Sequence, residues 1–174
     1  MTERSPRIEI GLIVFPNVQQ LDPTGPYEVF ALWPRARVRL IAKTLDPVVS
    51  STRLVLTPDE TYASCSQLDV LCTPGGAGIN ALLADEETLR FIRRQAEGAR
   101  FVTSVCTGAL VLGAAGLLSG RRATTHWASH HILAAGADRE RAPAASRRGG
   151  EEFGARPFMS APGCYGPEGS RRPR

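Results

Sequence analysis

Lysine is almost missing from this 174-residue chain: Lys43 stands alone among 21 basic residues. Arginine supplies the rest, a bias that points to a GC-rich coding sequence. Valine, isoleucine and leucine all stop at Leu133, and residues 138–174 draw 24 of their 37 positions from Ala, Gly, Pro and Arg. A segment so poor in large apolar side chains cannot offset the entropy of ordering its own backbone. The expected organisation is a domain at 1–136 and a tail at 137–174. The tail is either a natural disordered segment or the product of a shifted reading frame.

An excess of positive charge is also scarce in the domain itself. Residues 1–137 hold 13 basic against 12 acidic side chains, while 138–174 hold 8 against 5. The net charge of +4 belongs mostly to the tail, which excludes a uniformly basic, nucleic-acid-binding surface. No charged-then-apolar leader opens the chain, and the longest apolar run, 109–118, is broken by glycine and too short to cross a bilayer. Cys65, Cys72, Cys106 and Cys164 show neither a C-x-x-C pair nor metal-ligand spacing. These gaps argue against a disulfide scaffold. They predict reduced thiols in the cytoplasm, no metal and no membrane partner.

The apolar residues that are present fall into alternating strands and helices. Residues 8–15 form an apolar run closed by Pro16, the pattern of a buried strand. A helix follows, with Asp22 as N-cap and Pro23 in its first turn, or with Thr24 as cap and Pro26 there. It ends before Pro34. Residues 36–43 alternate with period two, 48–56 suit a hairpin, and 68–72 form a second buried strand running into Thr73-Pro74-Gly75-Gly76. Asp85 caps an amphipathic helix over 85–97 that Gly98 closes. A strand at 101–105, a helix at 107–118, a short strand at 122–125 and a helix at 127–135 complete the domain. This alternation predicts a doubly wound α/β sandwich with a mostly parallel sheet.

Three stretches carry chemistry. Ser104 and Gly108 flank Cys106 two residues away on either side, the small neighbours that a sharp strand-to-helix nucleophile elbow requires. There the helix dipole and free N–H groups favour a thiolate, although a buried, inert cysteine fits the same residue. Gly75 and Gly76 let backbone N–H groups approach a ligand as an oxyanion-type pair, or simply make a tight turn. Asp22, expected at the same end of the sheet, either caps its helix or sits beside the thiol. In the second case each acid raises the pKa of the other, so one holds a proton at neutral pH and serves as acid or base. His126, far from Cys106 in sequence, fits either a place beside the pocket or a structural role.

Together these elements resemble the DJ-1/PfpI superfamily, and within it the isonitrile hydratases. The likeness runs through Ile10-Gly11-Leu12-Ile13-Val14-Phe15-Pro16, Gln19-Gln20-Leu21-Asp22-Pro23-Thr24-Gly25-Pro26 and Leu68-Asp69-Val70-Leu71-Cys72-Thr73-Pro74-Gly75-Gly76. It continues through Ser104-Val105-Cys106-Thr107-Gly108 and Arg122-Ala123-Thr124-Thr125-His126-Trp127, spanning residues 7–136 in order. The resemblance implies a flavodoxin-like sandwich with Cys106 as elbow nucleophile and Asp22 as catalytic acid/base. It also implies Thr107 as the threonine after the nucleophile, with oxyanion-type donors at Gly75, Gly76 and Thr107. Protease-like members place His directly after the cysteine. Thr107 stands there instead, which argues against peptidase chemistry. The implied activity is hydration of an isonitrile to an N-substituted formamide through a cysteine thioimidate, in a homodimer with no metal or organic cofactor.

Such relatives continue with a strand, a Gly-rich turn and a long final helix where this chain, from about Gly136, has Arg/Pro/Gly-rich text. That departure implies a C-terminally incomplete layer, an exposed apolar face, a weakened dimer, and a less active or inactive product. The same domain also forms the sensor half of AraC-type transcription regulators. No helical apolar periodicity follows Leu133, so DNA binding is not expected, and Gln19-Gln20-Leu21-Asp22 favours the enzyme.

Overall fold

Each apolar, β-branched stretch of the domain becomes a strand. The computed structural model describes residues 7–140 and 159–160. Its strands are β1 (Ile8–Ile13), β2 (Ala36–Ala42), β3 (Val48–Val49), β4 (Val55–Leu56), β5 (Glu60–Thr61), β6 (Val70–Thr73), β7 (Phe101–Ser104) and β8 (Met159–Ser160). The helices are α1 (Leu21–Ala31), α2 (Ile79–Leu82), α3 (Glu86–Gly98), α4 (Gly108–Ala114) and α5 (His130–Glu140). Six strands form one sheet in the order β5-β2-β1-β6-β7-β8, with every pairing parallel. β3 and β4 make a separate antiparallel hairpin. This is the flavodoxin-like α/β arrangement. Among the described residues no helix is long and apolar enough to cross a membrane.

Strand pleating divides the core between the two faces of the sheet. Ile10, Leu12, Val70 and Cys72 point to one side, where Tyr27 and Phe30 of α1 cover them. Ile13, Ile41 and Leu71 point to the other, against Leu89, Phe91 and Ile92 of α3 and Val111 and Leu112 of α4. Each such fully buried side chain stabilises the fold by roughly 1.5–3 kcal/mol relative to exposure.

The chain moves from β1 to β2 on one side of the sheet, then returns to β6 on the other. Loops leaving the carboxyl ends of β1 and β6 therefore diverge and open a crevice, the usual ligand position in doubly wound sheets. The loop after β1 brings Asp22 to this end, the loop after β6 brings Gly75 and Gly76, and the turn after β7 brings Cys106.

Several local expectations change. α1 begins at Leu21, and its N-cap is Gln20 without a side-chain cap bond. Asp22 is inside the first turn and does not cap it, because its carboxylate accepts a hydrogen bond from the Gly75 N–H. Residues 122–125 form no strand. Their polar groups are taken up by Cys106 and by His130, not by a β-ladder. The helix expected over 107–118 is confined to Gly108–Ala114, and Gly116, at φ +77°, follows it. Trp127–Ser129 is a 3-10 turn leading into α5. Of the tail expected from 137 onward, the structure describes the end of α5 and the backbone of Met159–Ser160, which pairs with Thr103 and Ser104. The rest, Cys164 included, lies outside the described residues.

Candidate active site

β7 ends at Ser104 and α4 begins at Gly108, so the chain must reverse within Val105, Cys106 and Thr107. Cys106 absorbs the reversal with a φ of +53°, a conformation that costs a non-glycine residue about 1–3 kcal/mol. Fixed hydrogen bonds surround it. The Val105 N–H donates to the Thr73 carbonyl (3.1 Å) and the Gly108 N–H to the Val105 carbonyl (2.9 Å). The Cys106 carbonyl accepts from the Thr125 hydroxyl (3.1 Å) and from the His126 N–H (3.3 Å). Position 108 must be glycine, since a Cβ there would overlap the Thr73 carbonyl oxygen.

The facing wall comes from the loops after β1 and β6. Asp22 is 8% exposed and accepts from the Gly75 N–H at 2.9 Å. The same carboxylate acts on the Cys106 thiol. The Gly76 N–H donates to Thr107 Oγ1 at 3.1 Å, and Thr107 follows Cys106 directly in the chain. Gly75 permits this closeness. A Cβ on it would lie 2.5 Å from the N and Oγ1 of Thr107 and 3.1 Å from Asp22 Oδ2.

The electrostatics follow from burial. Desolvation raises the Asp22 carboxyl above its ordinary range, against the opposing pull of the Gly75 N–H, the Cys106 thiol and the charge of His126. Burial also raises the Cys106 thiol, and the Asp22 charge raises it further; the Thr107 donors pull it down. Two acids, each harder to ionise than usual, thus lie at one end of the sheet. Cys65 and Cys72 differ: both are buried, and burial pushes each thiol to about 11.

The structure brings together Cys106, Asp22, Thr107, Gly75, Gly76 and His126. It also shows that the N–H groups of Gly75 and Gly76 have acceptors within the site, the Asp22 carboxylate and the Thr107 hydroxyl. His126 sits at the rim, where its Nδ1 accepts from the Ala128 N–H (3.3 Å) and its ring tilts against Trp127, with centroids 5.4 Å apart. Thr125 was not expected here; the one signal for it was a second hydroxyl residue in a segment otherwise read as a strand. Among the described residues no group of three or more His, Cys, Asp or Glu is placed to hold a metal ion. A separate cleft of about 670 Å³ opens between α4 and α5, walled by Leu110, Leu118 and Leu133, and none of the six residues lines it.

Residues 9–145 match the DJ-1/PfpI family model. The chain belongs to the DJ-1/PfpI family. It is similar to the isonitrile hydratase of Pseudomonas putida, at 61% identity over 126 residues, covering 72% of this chain and 55% of that protein. The chain thus spans little more than half of that relative's length. It is also similar to the HTH-type transcriptional regulator GbdR of Pseudomonas aeruginosa, at 35% identity over 80 residues, 46% of this chain and 22% of that one. Among solved structures, a THiJ/PfpI family protein from Pseudomonas syringae superposes with a TM-score of 0.75 at 34% identity, over 92% of this chain and 68% of that one. Within this DJ-1/PfpI chain, the elbow and the facing Asp22 loop both fall inside the matched span.

Proposed function

We propose that this DJ-1/PfpI protein is an isonitrile hydratase-type lyase, adding water to an isonitrile to give an N-substituted formamide. The observation that carries the reading is the buried Asp22 carboxylate, fixed by the Gly75 N–H, acting on the thiol of the strained elbow residue Cys106. It joins a nucleophile and a proton carrier at one reacting carbon. The identity to the Pseudomonas putida isonitrile hydratase supplies the substrate class.

The proton inventory closes. The thiol proton passes to Asp22, which delivers it to the terminal isonitrile carbon as the sulfur bonds to that carbon, giving the thioimidate R–N=CH–S–Cys106. Asp22, again a carboxylate, takes a proton from water as the water oxygen adds to the same carbon, and passes it to nitrogen. The resulting R–NH–CH(OH)–S–Cys106 collapses by breaking its C–S bond. Its hydroxyl proton returns through Asp22 to sulfur. The sum is R–N≡C plus water giving R–NH–CHO, with no redox change. Because Gly75 and Gly76 already have acceptors, the donors that lower the Cys106 thiol are those of Thr107. Its hydroxyl is polarised by the Gly76 N–H, while the Gly75 N–H fixes the carboxylate.

This reading includes a cytoplasmic location and a homodimer. The exposed Val29 on α1, with Leu32 just beyond it, supplies apolar surface for a second copy, which sedimentation velocity would detect. The identity to the GbdR regulator favours a second reading, a domain that binds a small ligand without converting it. Proton NMR of the chain mixed with cyclohexyl isocyanide separates the two. Growth of the formamide signal, abolished in Cys106→Ala and Asp22→Ala, supports the lyase. Binding without conversion supports the sensor.

A further inference from the structure

We infer that Thr125 is a positioning residue for Cys106, acting through the peptide bond between Cys106 and Thr107. The inference rests on Cys106 being the reacting group of the proposed function, but not on the identity of the substrate.

The two faces of that peptide have opposite duties. In a trans peptide the C=O and the N–H point in opposite directions within one plane, and no described peptide here is cis. The carbonyl side belongs to Cys106 and accepts from the Thr125 hydroxyl at 3.1 Å and the His126 N–H at 3.3 Å. The N–H side belongs to Thr107, points away from those two donors, and lowers the Cys106 thiol. Pinning the oxygen sets the direction of the N–H. Two donors fill both lone pairs of the carbonyl and polarise the peptide, which strengthens the N–H as a donor to a developing thiolate.

Thr125 suits this duty better than a surface hydroxyl. It is 5% exposed, and its own carbonyl accepts from His130 Nε2 at 3.1 Å, tying it to the first residue of α5. The peptide it holds follows a residue at φ +53°, so the strained turn relaxes unless something restrains it. The charged group acting on the Cys106 thiol is Asp22 from α1, and His126, from the same segment as Thr125, acts in turn on Asp22. Replacing Thr125 with a neutral residue leaves both of these charges in place. A change in thiol ionisation then reports the peptide and not a lost charge.

The test is the pH profile of iodoacetamide alkylation, read by mass spectrometry at the Cys106 peptide. Thr125→Val keeps the shape and deletes the hydroxyl, Thr125→Ala deletes both, and Thr125→Ser keeps the hydroxyl. At pH 7 the Val and Ala forms should alkylate about 3–10-fold more slowly than the parent, with the midpoint moved upward. The Ser form should match the parent. Thermal melts identify which variants are folded, and the Ala form decides if the Val form is not. Parent-like alkylation in the folded hydroxyl-free variant, or a Ser form as slow as Ala, overturns the inference. Alkylation needs no isonitrile, so a failure of the proposed hydration would leave this result unaffected and separately readable.

Discussion

The Gly75 N–H donates to the Asp22 carboxylate at 2.9 Å across 53 residues of sequence. This bond joins the loop after β6 to the first turn of α1 and turns Asp22 away from the capping role its position suggests. It places the carboxylate against the Cys106 thiol, where the Asp22 charge raises the thiol and the thiol in turn pulls the carboxyl down against the rise that burial gives it. The chemistry proposed for this protein depends on that arrangement.

Asp22→Asn should separate thiol reactivity from turnover. The Asp22 charge raises the Cys106 thiol, so removing it lowers the thiol pKa and speeds iodoacetamide alkylation at pH 7. Formamide production should fall by about 10²–10⁴-fold, the usual contribution of a positioned acid/base. Slower alkylation in the variant would show that Asp22 supports the thiolate.

The same substitution should change stability in a pH-dependent way. Burial raises the Asp22 carboxyl above its ordinary value, so the folded chain binds this proton more tightly than the unfolded one. That contribution is full below the unfolded pKa, about 3.9, and is lost as pH rises through the folded value. Asn, which needs no ionisation, should therefore stabilise the protein at pH 7 by about 0.5–2 kcal/mol in urea melts. The gain should shrink towards pH 4. A parent more stable than the variant at pH 7 would reverse the sign of the argument.

The elbow was legible from the sequence because its signals are local: an apolar run ending at Ser104, a cysteine, and a glycine at 108. The role of Asp22 was only half legible. A helix-capping aspartate and a site aspartate look alike along the chain, and the partner that decides between them is Gly75. Residues 122–125 read as a short strand along the chain. In the fold, the hydroxyl of Thr125 meets the Cys106 carbonyl. The two-residue strands β5 and β8 carry no periodicity, and only the neighbouring β2 and β7 define them.

Gly75→Ala should damage the site more than a single methyl group suggests. The new Cβ would press on Thr107 and on Asp22 Oδ2, forcing α1 and the elbow apart. A loss of about 1–3 kcal/mol in stability should accompany a larger loss of Cys106 reactivity. Calorimetry and alkylation kinetics check the two effects separately.

Away from the site, Arg39 is 4% exposed and bonds to Glu9 at 2.6 Å and Glu60 at 2.5 Å. Arg39→Met leaves two carboxylates facing one another without their cation and should cost about 3–5 kcal/mol. Adding Glu9→Gln and Glu60→Gln should recover part of that loss. Full stability in the single variant would mean that the ion triad is dispensable.

The most direct test of the proposed chemistry is the mass of the protein during turnover. With cyclohexyl isocyanide present, the parent should carry an adduct equal to the full mass of the isonitrile, because the addition expels no atoms. Peptide mapping should place that adduct on Cys106, and Cys106→Ala should form neither adduct nor formamide. Formamide made at the parent rate by Cys106→Ala would contradict the account.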